Sequence, residues 1–156
     1  MVNQHTIIAM FWGDTTEKTT LMLEYAEYLK SLGMDKVPHR DSDLLSHSLR
    51  VSGMLWQYNR PHEEVIAGLF HSIYGTEYQR YRINLARQEI QNLIGEKSEH
   101  IVNLFCTLDD RVNTILYGKH LQESDKTTLR WLEYCNIKDQ DPDASILKEF
   151  EIVLHI

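Results

Sequence analysis

Between residues 43 and 58 the apolar side chains Leu44, Leu45, Val51, Met54, Leu55 and Tyr58 recur at three- and four-residue spacing. Such a period gathers apolar groups on one face of an α-helix, and it returns in segment after segment of this chain. No stretch alternates convincingly with period two, the mark of a half-buried strand. The β-branched runs at residues 6–8 and 151–154 are too isolated to found a sheet. The chain is therefore expected to be all-α, a bundle of six or seven helices.

Local punctuation sets the expected boundaries. Thr15 or Thr16 can cap a helix that runs to Leu32, with Leu21, Tyr25, Tyr28, Leu29 and Leu32 on one face and Gly33 as its stop. Residues 34–42 read as a loop, closed by Asp41 or Ser42 as the next cap. A third helix starts at Pro61, a favoured first-turn position, and runs to about residue 74. A loop containing residues 78–82 leads to a fourth helix, 85–94, stopped by Gly95. The longest is expected at 98–117, followed by 123–136 and a last one from 143. With 156 residues and no repeat or linker, one domain is expected.

The formal net charge is −7, which argues against a non-specific grip on nucleic acid. Residues 7–12, IIAMFW, have no basic region ahead of them and are too short for a signal peptide or a membrane span. Cys106 and Cys135 show no CxxC spacing and suit free thiols in a reducing compartment, so a cytoplasmic protein is expected. The expected partner is a small molecule, with neither nucleic acid nor membrane, and self-association into a homo-oligomer is left open.

Two histidines stand out. His47 falls three residues after Leu44 and four before Val51, on the core side of its helix. His71 closes the third helix, in AGLFHSIYGTE, on or near its apolar face. Neutral imidazole is a common metal ligand, although a lone inward histidine is more often a hydrogen-bonded core residue. A third ligand is sought in the fifth helix. On a wheel of about 100° per residue, Asp109 sits at the margin of its apolar face and Asp110 nearly opposite. The plainer alternative makes Asp109 a solvated residue bridging to Arg111 or Lys119.

The set His47, His71–Ser72 and Asp109 resembles the HD superfamily, whose helical bundle carries a first His, a His-Asp pair and a distant Asp around one or two metals. The likeness covers about residues 44–111. In style it is similar to the hydrolase domain of the (p)ppGpp synthetase/hydrolase family: AGLFHS, the acidic Glu77, LIGEKSEHIV and LF follow the same order. The string HS-x-YGTE also resembles an uncharacterised HD-like family of bacteria and plants in which serine is the usual letter. The departure is Ser72, because in two-metal members the aspartate at that place bridges both ions.

The resemblance implies one divalent metal, iron, manganese or zinc, held by His47, His71 and Asp109, or no metal at all. It implies catalytic roles for Glu77, Ser72 and Tyr74, with Glu77 positioning water. Arg80, Arg82 and Arg87 would clamp a phosphate or carboxylate, with Thr76 as a hydroxyl donor beside them. Salt bridges from these arginines to Glu77, Glu89 or Glu96 are the plainer alternative. The implied activity is metal-dependent phosphohydrolysis of a small anionic substrate. The rivals are an HD-type iron-dependent oxygenase and a metal-free ligand-binding protein or acid–base enzyme. His39, His62, His100 and His120 read as solvated, and the three tryptophans as packing.

Overall fold

The computed structural model describes residues 3–13, 16–76 and 84–156, and 71% of them are helical. The elements in chain order are α1 (Gln4–Trp12), α2 (Glu17–Ser31), a single 3₁₀ turn (Met34–Lys36), β1 (Pro38–His39), β2 (Ser42–Asp43), α3 (Leu44–Gln57) and α4 (His62–Phe70). After these come α5 (Arg87–Ile94), α6 (Glu96–Thr107), α7 (Arg111–Tyr117), α8 (Glu123–Gln140) and α9 (Leu147–Leu154). Among the described residues the fold is all-α apart from one two-stranded antiparallel hairpin. No described helix is long and apolar enough to cross a membrane.

Helix starts follow their caps. Thr16 accepts from the Thr19 amide at 3.0 Å at the head of α2, and Asp43 accepts from the Ser46 amide at 2.9 Å at the head of α3. Asp43 takes that place from Asp41 and Ser42 because the preceding residues pair as the hairpin, His39 opposite Ser42. Nine α-helices are found among the described residues against six or seven expected. The run at residues 6–8 lies inside α1 and the run at 151–154 inside α9. The helix expected at 98–117 is two, because Leu108 is extended and Asp110 takes a left-handed φ of 47°.

A single hydrophobic cluster runs from Ile7 on α1 to Phe150 on α9. Its densest seam is the crossing of α3 and α4, made close by small residues. A Cβ on Gly68 would stand 2.6 Å from Leu55 Cδ1, while on the other side of α3 one on Gly53 would stand 2.2 Å from the Phe11 ring of α1. Ser52 Oγ donates to the Val65 carbonyl at 2.7 Å across the α3–α4 seam. This approach brings the head of α3, with His47, beside the tail of α4, with His71.

Candidate functional site

His47 lies in the first turn of α3 and is buried. Across from it runs α8, which presents Glu133, Asn136 and Gln140 at helical spacing along one face. His47 Nδ1 meets Asp139 Oδ2 at 2.7 Å and Nε2 meets Asn136 Oδ1 at 2.8 Å. The carboxylate only accepts. The Asn136 amide is held one way round, since its Nδ2 donates to Glu133 Oε1 at 3.0 Å and its Oδ1 accepts from Gln140 Nε2 at 2.9 Å. Reversing it would set its oxygen against a carboxylate. Both ring nitrogens of His47 therefore face acceptors, and both bonds form only when each nitrogen carries a hydrogen.

The ends of this network are arginines. Arg50 Nε donates to Asp139 Oδ1 at 2.7 Å and its Nη2 to Oδ2 at 3.2 Å. Arg111, buried at the head of α7, pairs with the fully buried Glu133 and lies 4.2 Å over the Phe105 ring. Burial pushes the Asp139 carboxyl up, and the bonds from His47 and Arg50 outweigh it, so Asp139 stays below its ordinary range.

His71 ends α4 and is 2% exposed. Its Nδ1 donates to the Gly68 carbonyl at 2.7 Å, one helical turn back. A carbonyl only accepts, so Nδ1 holds the hydrogen and Nε2 keeps its lone pair. The ring stands edge-on to His47 at 5.2 Å and to Phe105 at 5.4 Å. Burial, then the charge of His47, lower His71 to about 3, so the ring is neutral at neutral pH.

Between these groups lies a cavity of about 410 Å³, into which His47, His71, Ser72, Thr76, Arg111 and Asn136 project. Ser72 is buried. The hairpin adds Arg40 and His39, whose ring lies 4.2 Å from that of His47 at 31°. Burial and His47 lower His39 to about 4. His39 was expected in solvent within a loop. The hairpin, turned through a left-handed Arg40 at φ 54°, folds it back over α3 instead. No periodicity announces a two-residue strand, and this is why the sequence hides it.

The remaining expected site residues divide. Asp109 is not brought to the cavity: it is exposed between α6 and α7, and its carbonyl accepts from Thr114 Oγ1 at 3.0 Å. The helical wheel that placed it fails at the break before Asp110. Arg111 turns inward to Glu133 rather than outward to Asp109. Tyr74 and Arg87 face away from the cavity and meet at Glu99, with the Tyr74 hydroxyl donating at 2.9 Å and Arg87 at 2.7 and 2.9 Å. Glu77, Arg80 and Arg82 lie outside the described residues.

These residues do not fit a divalent metal. Among the described residues no group of three or more His, Cys, Asp or Glu side chains is arranged to hold one. His47 faces an acceptor at each ring nitrogen, both Asp139 oxygens are taken, and Ser72 is neutral where the resemblance expects an acid. The site does hold cations. Arg40 and Arg111 line the cavity, Arg111 paired with Glu133, the acid among its described walls, and Arg50 pairs with Asp139 behind them.

Residues 28–111 match the model of the family described as Domain of unknown function (DUF6817). The match spans more than half of the 156 residues, and the chain belongs to that family. It covers His39, His47, His71 and Ser72 and stops before the α8 wall. No curated protein and no solved structure matches the chain.

Proposed function

We propose that this protein is an HD-like small-molecule enzyme that works without a metal, by acid–base chemistry on a small anionic substrate held in the His71 cavity. The observation that carries the reading is His71, neutral, buried, its Nδ1 anchored to Gly68 and its Nε2 open toward a cavity lined by Arg40 and the Arg111–Glu133 pair. The phosphohydrolase and oxygenase readings both need a metal, and of the expected ligands lining the cavity only His71 Nε2 is left open to one.

The chemistry follows from the charges. An imidazole as buried as that of His71 is a weak base while no anion is bound beside it. An anionic group bound against Arg111 and Arg40 supplies the opposite charge, which raises the basicity of His71. His71 Nε2 then takes a proton from the bound molecule, while Ser72 and Thr76 offer hydroxyls to orient it. Substrate charge thus switches on the base, so a neutral analogue is a poor substrate even if it fits. A reducing, cytoplasmic setting suits Cys106 and Cys135, both free and both pushed up to about 12 by burial.

The test is a panel of small phosphate esters, carboxylates and their neutral analogues, screened by thermal shift. Binders are then followed by proton NMR in D₂O for exchange of a substrate hydrogen. Anions should bind, and His71→Gln should keep binding while lowering exchange by about 10²–10⁴-fold, the usual contribution of a positioned base. Equal binding of the neutral analogues, or undiminished exchange in the variant, refutes the proposal.

A further inference from the structure

The rings of His47 and His71 lie as close as two ligands of one ion would, yet they are not ligands, and a single amide accounts for it. We propose that Asn136 sets the ligand class of this cavity: it fixes His47 as a hydrogen donor at both nitrogens, making an anion site out of what would otherwise be a cation site. The proposal deepens the reading above and rests on it for the anion, but its claim about Asn136 stands separately.

Donors and acceptors decide the ligand class. Asn136 Oδ1 accepts from His47 Nε2 at 2.8 Å and from Gln140 at 2.9 Å, and Nδ2 is committed to Glu133 at 3.0 Å. The side chain is 4% exposed and has no freedom to turn. Its oxygen therefore sits where a cation would have to approach His47, and it demands a hydrogen there. Nδ1 cannot supply a lone pair either, because Asp139 accepts from it.

An acid at 136 changes the balance. A carboxylate there stands beside Glu133 and near Asp139, and so many negative charges repel unless a proton or a cation joins them. A second acid at Ser72, beside the free Nε2 of His71, completes an oxygen and nitrogen set of the kind that holds manganese or iron(II). The neutral residues at both places are thus what keeps the cavity positive.

The experiment uses the whole chain as wild type and as the double variant Ser72→Asp/Asn136→Asp. The probes are Mn²⁺, followed by electron paramagnetic resonance and calorimetry, and inorganic phosphate, followed by NMR. A long-range proton–nitrogen spectrum of the wild type at pH 7 is recorded alongside. Both ring nitrogens of His47 should carry hydrogen in the wild type, and the double variant should bind Mn²⁺ at least ten-fold more tightly and phosphate at least ten-fold more weakly.

A bare His47 nitrogen in the wild type overturns the proposal, as does stoichiometric Mn²⁺ binding by the wild type. So does a folded double variant, judged by circular dichroism, that gains no affinity for Mn²⁺. If that variant does not fold, the His47 spectrum still decides. A wild type with His47 doubly protonated that binds no small anion upholds the role of Asn136 and removes the anionic-substrate reading alone.

Discussion

Four buried or nearly buried carboxylates tie this bundle together, and they fall into two kinds. Glu64 and Glu99 are each closed by an arginine fork and one hydroxyl. Arg60 and Thr128 close the first, and Arg87 and Tyr74 close the second. Asp139 and Glu133 are also met by arginines, Arg50 and Arg111. Their third partners, however, are His47 and Asn136, and these two bond to each other. The first kind ends where its hydroxyl ends. The second is one chain, Arg50–Asp139–His47–Asn136–Glu133–Arg111, laid along a cavity. The same pairing of guanidinium and carboxylate thus makes a strut in one place and the wall of a site in another. What decides is whether the third partner has a second partner of its own.

Removing an arginine of each kind separates the two. Arg111 is 4% exposed and Glu133 0%, so Arg111→Leu leaves a carboxylate in the core with only Asn136 to meet it. The expected loss is about 3–5 kcal/mol, the usual cost of stranding one partner of a buried pair. Arg87 is 58% exposed, so water can enter where its guanidinium stood, although Glu99 itself is 4% exposed and keeps only the Tyr74 hydroxyl. Arg87→Leu should cost less, about 1–3 kcal/mol, the range for a buried acceptor left short of one partner. Urea denaturation of the two variants reads both numbers, and equal losses would erase the distinction between strut and wall.

The difference between the two kinds also marks what could be read from the chain. His47 and His71 were legible because each interrupts a helical apolar face, and periodicity survives in α3 and α4. Ser72 and Thr76 followed from their nearness to His71. The α8 wall was not legible, since Glu133, Asn136 and Asp139 look like the solvated face of any polar helix until α3 is packed against them. Asp109 failed because a wheel drawn through residues 98–117 assumes one unbroken helix. Its failure has a local cause, the left-handed Asp110 at φ 47°, which shifts everything before it off the wheel. His39 was hidden by a hairpin too short to carry a pattern. Position along a continuous helix is readable, then, while the pairing of distant polar faces is a tertiary fact.

The buried imidazoles of the site also make stability depend on pH. His71 and His39 are lowered to about 3 and about 4 in the folded chain, against about 6.5 for an unperturbed imidazole. Below pH 6.5 the unfolded chain binds protons that the folded chain refuses, so stability is full above that pH and falls as pH drops toward 4. His71 alone contributes a slope of about 1.4 kcal/mol per pH unit in that window. Denaturation of wild type and His71→Gln at pH 7, 6 and 5 should show the variant with a shallower slope by about that amount. A parallel pair of slopes would mean that His71 titrates freely and is no part of a buried wall.

The smallest expected effect belongs to a strut. Tyr74 stands two residues beyond Ser72, and its hydroxyl donates to Glu99 Oε1 at 2.9 Å, away from the cavity. Desolvation, then the hydrogen bond to Glu99, raise its titration above the ordinary tyrosine range, so it stays a donor throughout the physiological range. Tyr74→Phe keeps the ring against the core and leaves Arg87 to hold Glu99 by both its oxygens. The loss should be that of one hydrogen bond, about 0.5–1.5 kcal/mol. Anion binding and proton exchange should be unchanged, because the turn of residues 71–76 is also pinned by Cys106 Sγ donating to the His71 carbonyl at 3.0 Å. If Tyr74→Phe instead lowers exchange as much as His71→Gln does while costing no more stability than this, the hydroxyl belongs to the site, and Glu99 moves from the first kind of carboxylate to the second.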